Sequence, residues 1–557
     1  MRIRKFFLKN FRSIGEKGLE LSFPIGSTIL IGENNVGKTS IFEAIKMMIN
    51  LEVFQKIPLD IENWYASDQS KSIDLILTIE LNDDDIAKII TFFEPLQISN
   101  DSFKKLFSNR LIYRILFTTP NDIPESFFTL GELTIHNNGG RVGNFEGKNT
   151  RYGVDWKNLV DLGKIESIEK SIRKFLAIQW KSNVNQEGIA DTLDIGEVSI
   201  MFAKNFPNLF LDFLKEDIIS IEEYREKPKK ELNASLVSPT GESLVSILFN
   251  LKNGRYREKA KFEKIKQEFH EIFPNLNLDV IKEGEEYKIL TQKSSVESTT
   301  HFLGAGILQI LLLVTHIVAH KNKIILIDHP EVHLHPHAER NLSTLIDESE
   351  DTQIFLITHS TYFVNIDKRH RILRVTQKDS QTEVYTMQPE HFSDKEYSKL
   401  EYLLDLEGKE MFFARKVLLV EGPTEYGAIP VFAKAQKYSF DKNGVSIIDV
   451  GGKSNIGLFA RLCEGYHIPY QILADGDAAA ELKQIDIPNK SKKNRLNILS
   501  KDFESILPED LMLEAKKNVG RSKPRIGKYV ATEMVNRKLD VPPEISKLIV
   551  KLKELQV

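Results

Sequence analysis

The sequence predicts an α/β protein with two separate parallel-sheet regions, and three observations lead there. A short apolar strand, "STILIG", runs into a glycine-rich turn and then a helix, "SIFEAIKMMIN". From "GAGILQILLLVTHIVAH" to "QIFLITHST" the chain alternates helix, apolar strand, helix, apolar strand, the pattern of a parallel sheet covered on both faces. A further series of strand–loop–helix units begins at "KVLLVEG". At 557 residues the chain is too long for one ordinary core, so two to four domains are expected.

Composition is that of a soluble globular protein, with a formal net charge of −4. That charge does not exclude nucleic acid, because basic patches are local. The one cysteine, Cys463, rules out an internal disulfide framework and a cysteine-based zinc site. The opening "MRIRKFFLKNFRSIGEKG" has charges every few residues and lacks the apolar segment of a signal peptide. "ILQILLLVTHIVAH" is too short to span a bilayer. A cytoplasmic protein is expected.

In chain order, "RKFFLKNF" and "STILIG" read as strands, followed by the helix "SIFEAIKMMIN" and the strand "SIDLILTIEL". From about Asp83 to about Thr300 strong motifs are missing, and amphipathic helices are expected at "NLFLDFLKEDIISIEEY" and "RYREKAKFEKIKQEFHEIF". "EYKIL" reads as a strand. "RILRVTQKDSQTEVYTM" reads as an antiparallel pair, and "DKEYSKLEYLLDLEGKEMFFA" as a helical connector.

The turn after "STILIG" is a full phosphate-binding pattern, Gly32-x4-Gly37-Lys38-Thr39. The strand before it and the helix after it are the context this motif requires. Gly32 and Gly37 let the backbone of Asn34 and Asn35 wrap closely around phosphate oxygens, and the helix N-terminus, with Ser40, favours their charge. Lys38 would reach the β- and γ-phosphates of ATP, and Thr39 would ligate Mg²⁺.

Such a site needs an acid at the end of a second strand. "KIILIDHPEVHLHPH" supplies Asp328 after four aliphatics, Ile324 to Ile327. The same stretch holds His329, His333, His335 and His337, which invites a metal-site reading; Pro330 and Pro336 oppose it by breaking a regular strand. "KNFRSI", "HFLGAGILQILLL", "HPEVHLHP" and "LITHST" together resemble the ABC-type ATPase heads of the RecF/SMC and OLD (overcoming lysogenization defect) families, over roughly residues 1–80 and 295–375. The resemblance implies that Gly304, Ala305 and Gly306 form a signature loop facing the triphosphate of an opposing subunit. It also implies that His359 is a switch histidine near the γ-phosphate. Two positions depart from the family pattern. His329 stands where a carboxylate usually follows the strand-end aspartate, leaving Glu331 or His329 itself to position water. Gly304 replaces the signature serine. Slow hydrolysis, with ATP acting as a dimer glue or state signal, is the expectation.

In the C-terminal third, "RKVLLVEGPTEYGAIPVFA", "VSIIDVGGKSNIGLFARLC" and "PYQILADGDAAAEL" are three strand–loop–helix units. Parallel strands would gather Glu421, Glu425, Asp475 and Asp477 at one carboxyl edge, where open α/β sheets carry their sites. Four carboxylates together call for a divalent cation, and two ions, Mg²⁺ or Mn²⁺, can stabilise both oxygens of a phosphodiester displacement. This set resembles a Toprim domain.

An ABC-type head followed by a Toprim domain is the order found in OLD-family nucleases. The resemblance implies an α/β protein with an ABC/RecF-like P-loop ATPase, a helical insertion for dimerisation, and a Toprim domain. Boundaries are expected at 1–150 and 231–390 for the two ATPase parts, 151–230 for the insertion and 391–557 for the Toprim domain. It further implies that Glu504 binds a second metal and that Lys523 or Lys528 stabilises charge on the scissile phosphate. The implied activity is ATP-regulated, metal-dependent DNA cutting or nicking in bacterial antiphage defence. The protein would act as a homodimer or higher homo-oligomer, alone or with a helicase-like protein or a retron reverse transcriptase and its DNA. Lys490, Lys492, Lys493, Arg495, Lys516, Lys517, Arg521, Lys523, Arg525 and Lys528 fit a polyphosphate substrate. The alternative is a non-cutting DNA-binding ATPase of the repair or structural-maintenance kind on a Toprim scaffold. A topoisomerase- or primase-like enzyme is a third class.

Overall fold

The computed structural model describes residues 1–23, 26–49, 61–92, 110–117, 125–130, 143–150, 153–158, 211–221, 244–284, 286–299, 303–366, 371–388, 391–405, 407–478, 482 and 494–555. The chain divides into two compact units. The first comprises Met1–Thr28, Gly37–Ile357 and Asp379–Glu383; the second comprises Ile29–Val36, Thr358–Lys378 and Val384–Val557.

The first unit opens with β1 (Arg2–Lys9) and β2 (Leu19–Ser22). After β3 (Thr28–Ile31) come β4 (Ile73–Glu80), β5 (Arg110–Phe117), β6 (Glu125–Leu130), β7 (Gly143–Thr150) and β8 (Gly153–Asn158). These strands, β3 apart, form an antiparallel sheet in the order β2-β1-β4-β5-β6-β7-β8. Period-two burial drives it: Ile73, Leu75, Leu77 and Ile79 of β4 all point inward.

The same unit holds a parallel ladder in which β13 (Ile324–Asp328) lies between β9 (Ile218–Ile221) and β14 (Gln353–Ile357). An antiparallel set, β10 (Asn277–Glu283), β11 (Glu286–Lys293) and β12 (Val296–Thr299), precedes β13 in the chain. The stretch expected as one helix, "NLFLDFLKEDIISIEEY", is helical over 211–217 and then becomes β9. The reason is local: Ile218, Ile219 and Ile221 are β-branched and pair with β13, which outweighs helical periodicity. β8, β9 and the helical stretch 211–217 fall within 151–230, the range expected as a helical insertion; the rest of that range lies outside the described residues.

In the second unit, β3 lies parallel to β15 (Ile372–Lys378); β16 (Gln381–Tyr385) begins in the first unit and ends in the second. A parallel sheet follows, β17 (Lys416–Val420), β18 (Val445–Asp449), β19 (Tyr470–Ala474) and β20 (Leu496–Ile498), in the order β18-β17-β19-β20. Every residue of β17 and β19 is buried, as a central parallel strand demands. Its core includes Leu418, Val420, Phe432, Leu473, Val530 and Leu548. The helices Pro423–Ala435 and Lys523–Asn536 meet at two glycines. A Cβ on Gly427 would stand 2.0 Å from the Pro524 carbonyl oxygen, and one on Gly527 would stand 2.1 Å from that of Thr424. Only glycine permits so close a crossing.

Candidate functional site

The phosphate loop is built as its spacing demands. Gly32 has φ 137°, Asn35 φ 64° and Gly37 φ 107°, conformations that favour glycine and admit asparagine. A Cβ on Gly32 would lie 2.1 Å from the Val375 carbonyl oxygen, and one on Gly37 would lie 2.2 Å from Thr382 Oγ1. The helix Lys38–Ile49 begins at once, with Lys38 buried and Asn34, Asn35 and Thr39 exposed.

Asp328 ends β13 in register with Ile357. His329 follows at φ 48°, its N–H donating to the Ile357 carbonyl at 3.0 Å. Its Nδ1 lies 3.2 Å from Glu331 Oε1, and its Nε2 lies 3.6 Å from Asp328 Oδ1. The imidazole therefore stands between the strand-end aspartate and the next carboxylate. The other histidines have structural work. His335 Nδ1 accepts from the His337 N–H at 3.3 Å, capping the helix Pro336–Glu348. The His333 carbonyl oxygen lies 2.5 Å from where a Gly306 Cβ would be, so Gly306 is needed for contact. Around Gly304, which caps the helix Ala305–Ala319, a Cβ would meet nothing within 4 Å, so packing does not demand glycine there. His359 is exposed just after β14, its ring 6.3 Å from that of Phe413.

The second constellation sits at the carboxyl edge of the β18-β17-β19-β20 sheet. Val420, the last residue of β17, is in register with Asp449 and with Leu473, so the strands end together. Glu421 is fixed twice: its carbonyl accepts from the Gly452 N–H at 2.8 Å, and its carboxylate accepts from the Asp475 N–H at 3.2 Å. Asp475 Oδ1 accepts from the Phe503 N–H at 2.8 Å. Glu425 lies in the first turn of the helix Pro423–Ala435, where Pro423 supplies a preset φ. It is only 5% exposed. Burial first, then the charges of Asp475, Glu421 and Asp449, push its carboxyl up to about 8. Burial and then Glu421 push Asp475 up to about 6.

Other expected residues stand further out. Asp477 Oδ2 accepts from Lys453 Nζ at 2.8 Å. Glu504 accepts from Thr424 Oγ1 at 3.0 Å and has Lys523 Nζ at 3.7 Å, so Glu504 and Lys523 do border the first turn that carries Glu425. Lys528 is exposed, and five positions along a helix place it about 140° around the axis from Lys523. Of the basic residues, Lys516, Lys517, Arg521, Lys523, Arg525 and Lys528 are exposed. Arg495, by contrast, is engaged with Glu464 and lies over the Tyr470 ring at 4.4 Å. Lys490, Lys492 and Lys493 lie outside the described residues.

Asp449 was not among the expected site residues. It ends β18, its carboxylate accepts from the Gly451 N–H at 2.9 Å, and burial raises its pKa. The only signal for it in the sequence is an acid at a strand end before "VGG".

Among the described residues, no three His, Cys, Asp or Glu side chains stand close enough to close a metal cage. The donor chemistry still fits a hard divalent cation. The groups are carboxylate oxygens, and the burial and, after it, the mutual repulsion that raise Glu425 and Asp475 are what a bound cation offsets.

Comparison with known families covers the two regions that hold these residues. Residues 1–364 match the family described as AAA ATPase domain. The chain belongs to that family. Behind the AAA ATPase region, residues 412–477 match the Toprim domain of overcoming lysogenization defect protein-like proteins. The whole is therefore an α/β P-loop ATPase fused to an OLD-like Toprim domain, and such domains use ATP and divalent metal. Among relatives, the AAA ATPase chain is 24% identical over 543 residues to Endonuclease GajA of Bacillus cereus, covering 93% of this chain and 83% of that one. It is 25% identical over 292 residues to the uncharacterized protein MJ1542 of Methanocaldococcus jannaschii, covering 51% of this chain and 36% of that one. It is 27% identical over 185 residues to the OLD nuclease of Thermus scotoductus, covering 31% and 34%. The chain thus spans about a third of two of these relatives. Among the described residues no helix is long and apolar enough to cross a membrane.

Proposed function

We propose that the chain is a divalent-metal-dependent DNA endonuclease or nickase whose Toprim domain cuts under the control of ATP bound by its AAA ATPase region. One observation carries the reading: Glu421 and Asp475, from neighbouring strand ends, are joined at 3.2 Å with the buried Glu425 in their field. Glu421, Glu425, Asp475 and Asp477 would hold Mg²⁺ or Mn²⁺, with Glu504 serving a second ion. Bound there, the ions would activate water and stabilise charge on the phosphate. Lys523, beside Glu504, would neutralise the scissile phosphate; Lys528, on another helix face, would meet the DNA backbone further away. Lys38 and the loop from Gly32 to Ser40 would hold the triphosphate, with Thr39 and Asp328 on its Mg²⁺. Gly304, Gly306 and His359 would face a second copy and the γ-phosphate. Glu331, through its contact with the His329 ring, would orient that ring toward water at the γ-phosphate.

The relatives named for nuclease activity support this reading, as do the exposed basic residues between Lys516 and Lys528. A role in antiphage defence, which the OLD-family resemblance implies, belongs to the same proposal. A homodimer or larger homo-oligomer, assembled through residues 151–230, and a helicase-like or reverse-transcriptase partner complete the proposal.

The test is cleavage of supercoiled plasmid with Mg²⁺ or Mn²⁺, with and without ATP. Wild type should nick or linearise, and Glu421→Ala and Asp475→Ala should not. Cutting that survives both substitutions removes the proposal. The ion pair of Asp477 with Lys453 favours a second reading, a DNA-binding ATPase that does not cut; it predicts ATP-responsive DNA binding with no strand scission.

A further inference from the structure

The second compact unit contains, besides the whole Toprim domain, two pieces of the ATPase: Ile29–Val36 with its phosphate-loop glycine, and Thr358–Lys378 with the switch histidine. Three contacts from these pieces converge on one short segment, Phe413-Ala414-Arg415, that leads into β17. Glu33, inside the phosphate loop, is paired with Arg415 Nε at 2.8 Å. The His359 ring packs against Phe413. Arg374 of β15 is 5% exposed and donates to three carbonyls: Ala414 at 3.2 Å, Tyr466 at 3.3 Å and His467 at 3.0 Å.

The places where these contacts land are telling. Ala414 and Arg415 precede β17, and His467 lies three residues before β19, so Arg374 grips the N-terminal sides of both strands that end at Glu421 and Asp475. Arg415 also donates its N–H to Gly444, immediately before β18, at 2.9 Å. On the ATPase side, Arg374 is in register with Ile31, and its neighbour Val375 abuts Gly32. A buried guanidinium with three carbonyl partners moves with them, because releasing it would strand a desolvated charge. Fully buried five-residue strands, about 17 Å long, move as rods rather than bend.

We propose that Phe413–Arg415 relays the state of the phosphate loop to the carboxylate cluster, with Arg374 and Arg415 as positioning residues for Glu421 and Asp475. This rests on the nuclease reading above for its consequence, but the relay has a readout of its own. Triphosphate drawing Glu33 and His359 toward new partners would alter the hold on the segment, and the difference between the two holds is what nucleotide can transmit.

The full-length chain is assayed in two ways: plasmid cleavage with Mg²⁺, and amide hydrogen exchange over residues 413–421, each with and without ATP. The variants are Arg415→Glu, the exchanged pair Glu33→Arg with Arg415→Glu, and Arg374→Lys, with ATP binding measured separately for each. Wild type should change its cleavage rate by about fivefold or more on ATP addition, and exchange over 413–421 should change with it. Arg415→Glu should still bind ATP, and whatever its nucleotide-free cleavage rate, that rate should respond to ATP by less than about twofold; the exchanged pair should regain the response. Arg374→Lys, which keeps charge but cannot span three carbonyls, should lose the response in both assays. Should Arg415→Glu and Arg374→Lys respond to ATP as wild type does, or should wild type respond in neither assay, the relay is overturned while any cutting still stands. An ATP-dependent exchange change that Arg415→Glu abolishes, in a wild type that cuts no DNA, would uphold the relay and sink the nuclease reading instead.

Discussion

Metal binding at the Toprim edge should depend steeply on pH, and one side chain should account for most of the slope. Glu425 is raised to about 8 and Asp475 to about 6 when no cation is present. At pH 7 the first is protonated about 90% of the time and the second about 10%, so a cation drawing both should displace about one proton. Between pH 8 and pH 6 the ionised fraction of Glu425 falls from about one half to about one hundredth. That of Asp475 falls from nearly all to about one half. The product falls about 100-fold, equivalent to about 2.7 kcal/mol of apparent affinity. Glu425→Gln should remove all but about twofold of that dependence, at the cost of a weaker site throughout. Calorimetric titration with Mn²⁺ at pH 6, 7 and 8, in buffers of different ionisation enthalpy, reads both the affinity and the proton count. Affinities equal within about threefold at pH 6 and 8, or a steep slope that survives Glu425→Gln, would refute the reasoning.

Stability should follow the same groups with the opposite sense. A carboxyl raised in the folded state keeps a proton that the unfolded chain sheds near pH 4.5, so stability falls as pH rises from there to about 8. Metal-free protein should therefore melt lower at pH 8 than at pH 6, and added Mg²⁺ or Glu425→Gln should narrow the gap in a thermal scan. Gly427→Ala would place its methyl 2.0 Å from the Pro524 carbonyl oxygen and should cost about 1–3 kcal/mol in urea unfolding; a neutral result would mean the helix crossing is looser than described. Lys38→Ala should abolish binding of a fluorescent ATP analogue while leaving nucleotide-free metal affinity at the Toprim edge within about twofold, because Lys38 supplies no ligand there.

Much of this was legible because the motifs are local. The phosphate loop needs positive φ at Gly32 and Gly37, and a run of eight residues encodes that need. Glu421 and Asp475 follow five-residue buried strands whose parallel pairing aligns their ends. What the sequence hid depends on distance. Nothing near Asp477 announces Lys453, 24 residues away, and nothing near Gly427 announces Pro524. Asp449 looks like any acid before a turn until β18 is seen beside β17. The histidine run looked ambiguous because its members do unrelated jobs: His335 caps a helix, while His329 sits between Asp328 and Glu331. The antiparallel sheet through Asn158 was missed because "GNFEGKNT" and "GVDWKN" mix glycine and polar residues without a clear alternation.

Glu421 is held by main chain and side chain at once, through Gly452 and Asp475, whereas Asp477 and Glu504 lean on the solvent-accessible side chains of Lys453 and Lys523. Such a site is half anvil and half jaw. Folding sets the anvil, and the jaw has only weak, water-screened grips to release when an ion arrives. An enzyme made this way would exchange its ions readily and be inert between encounters.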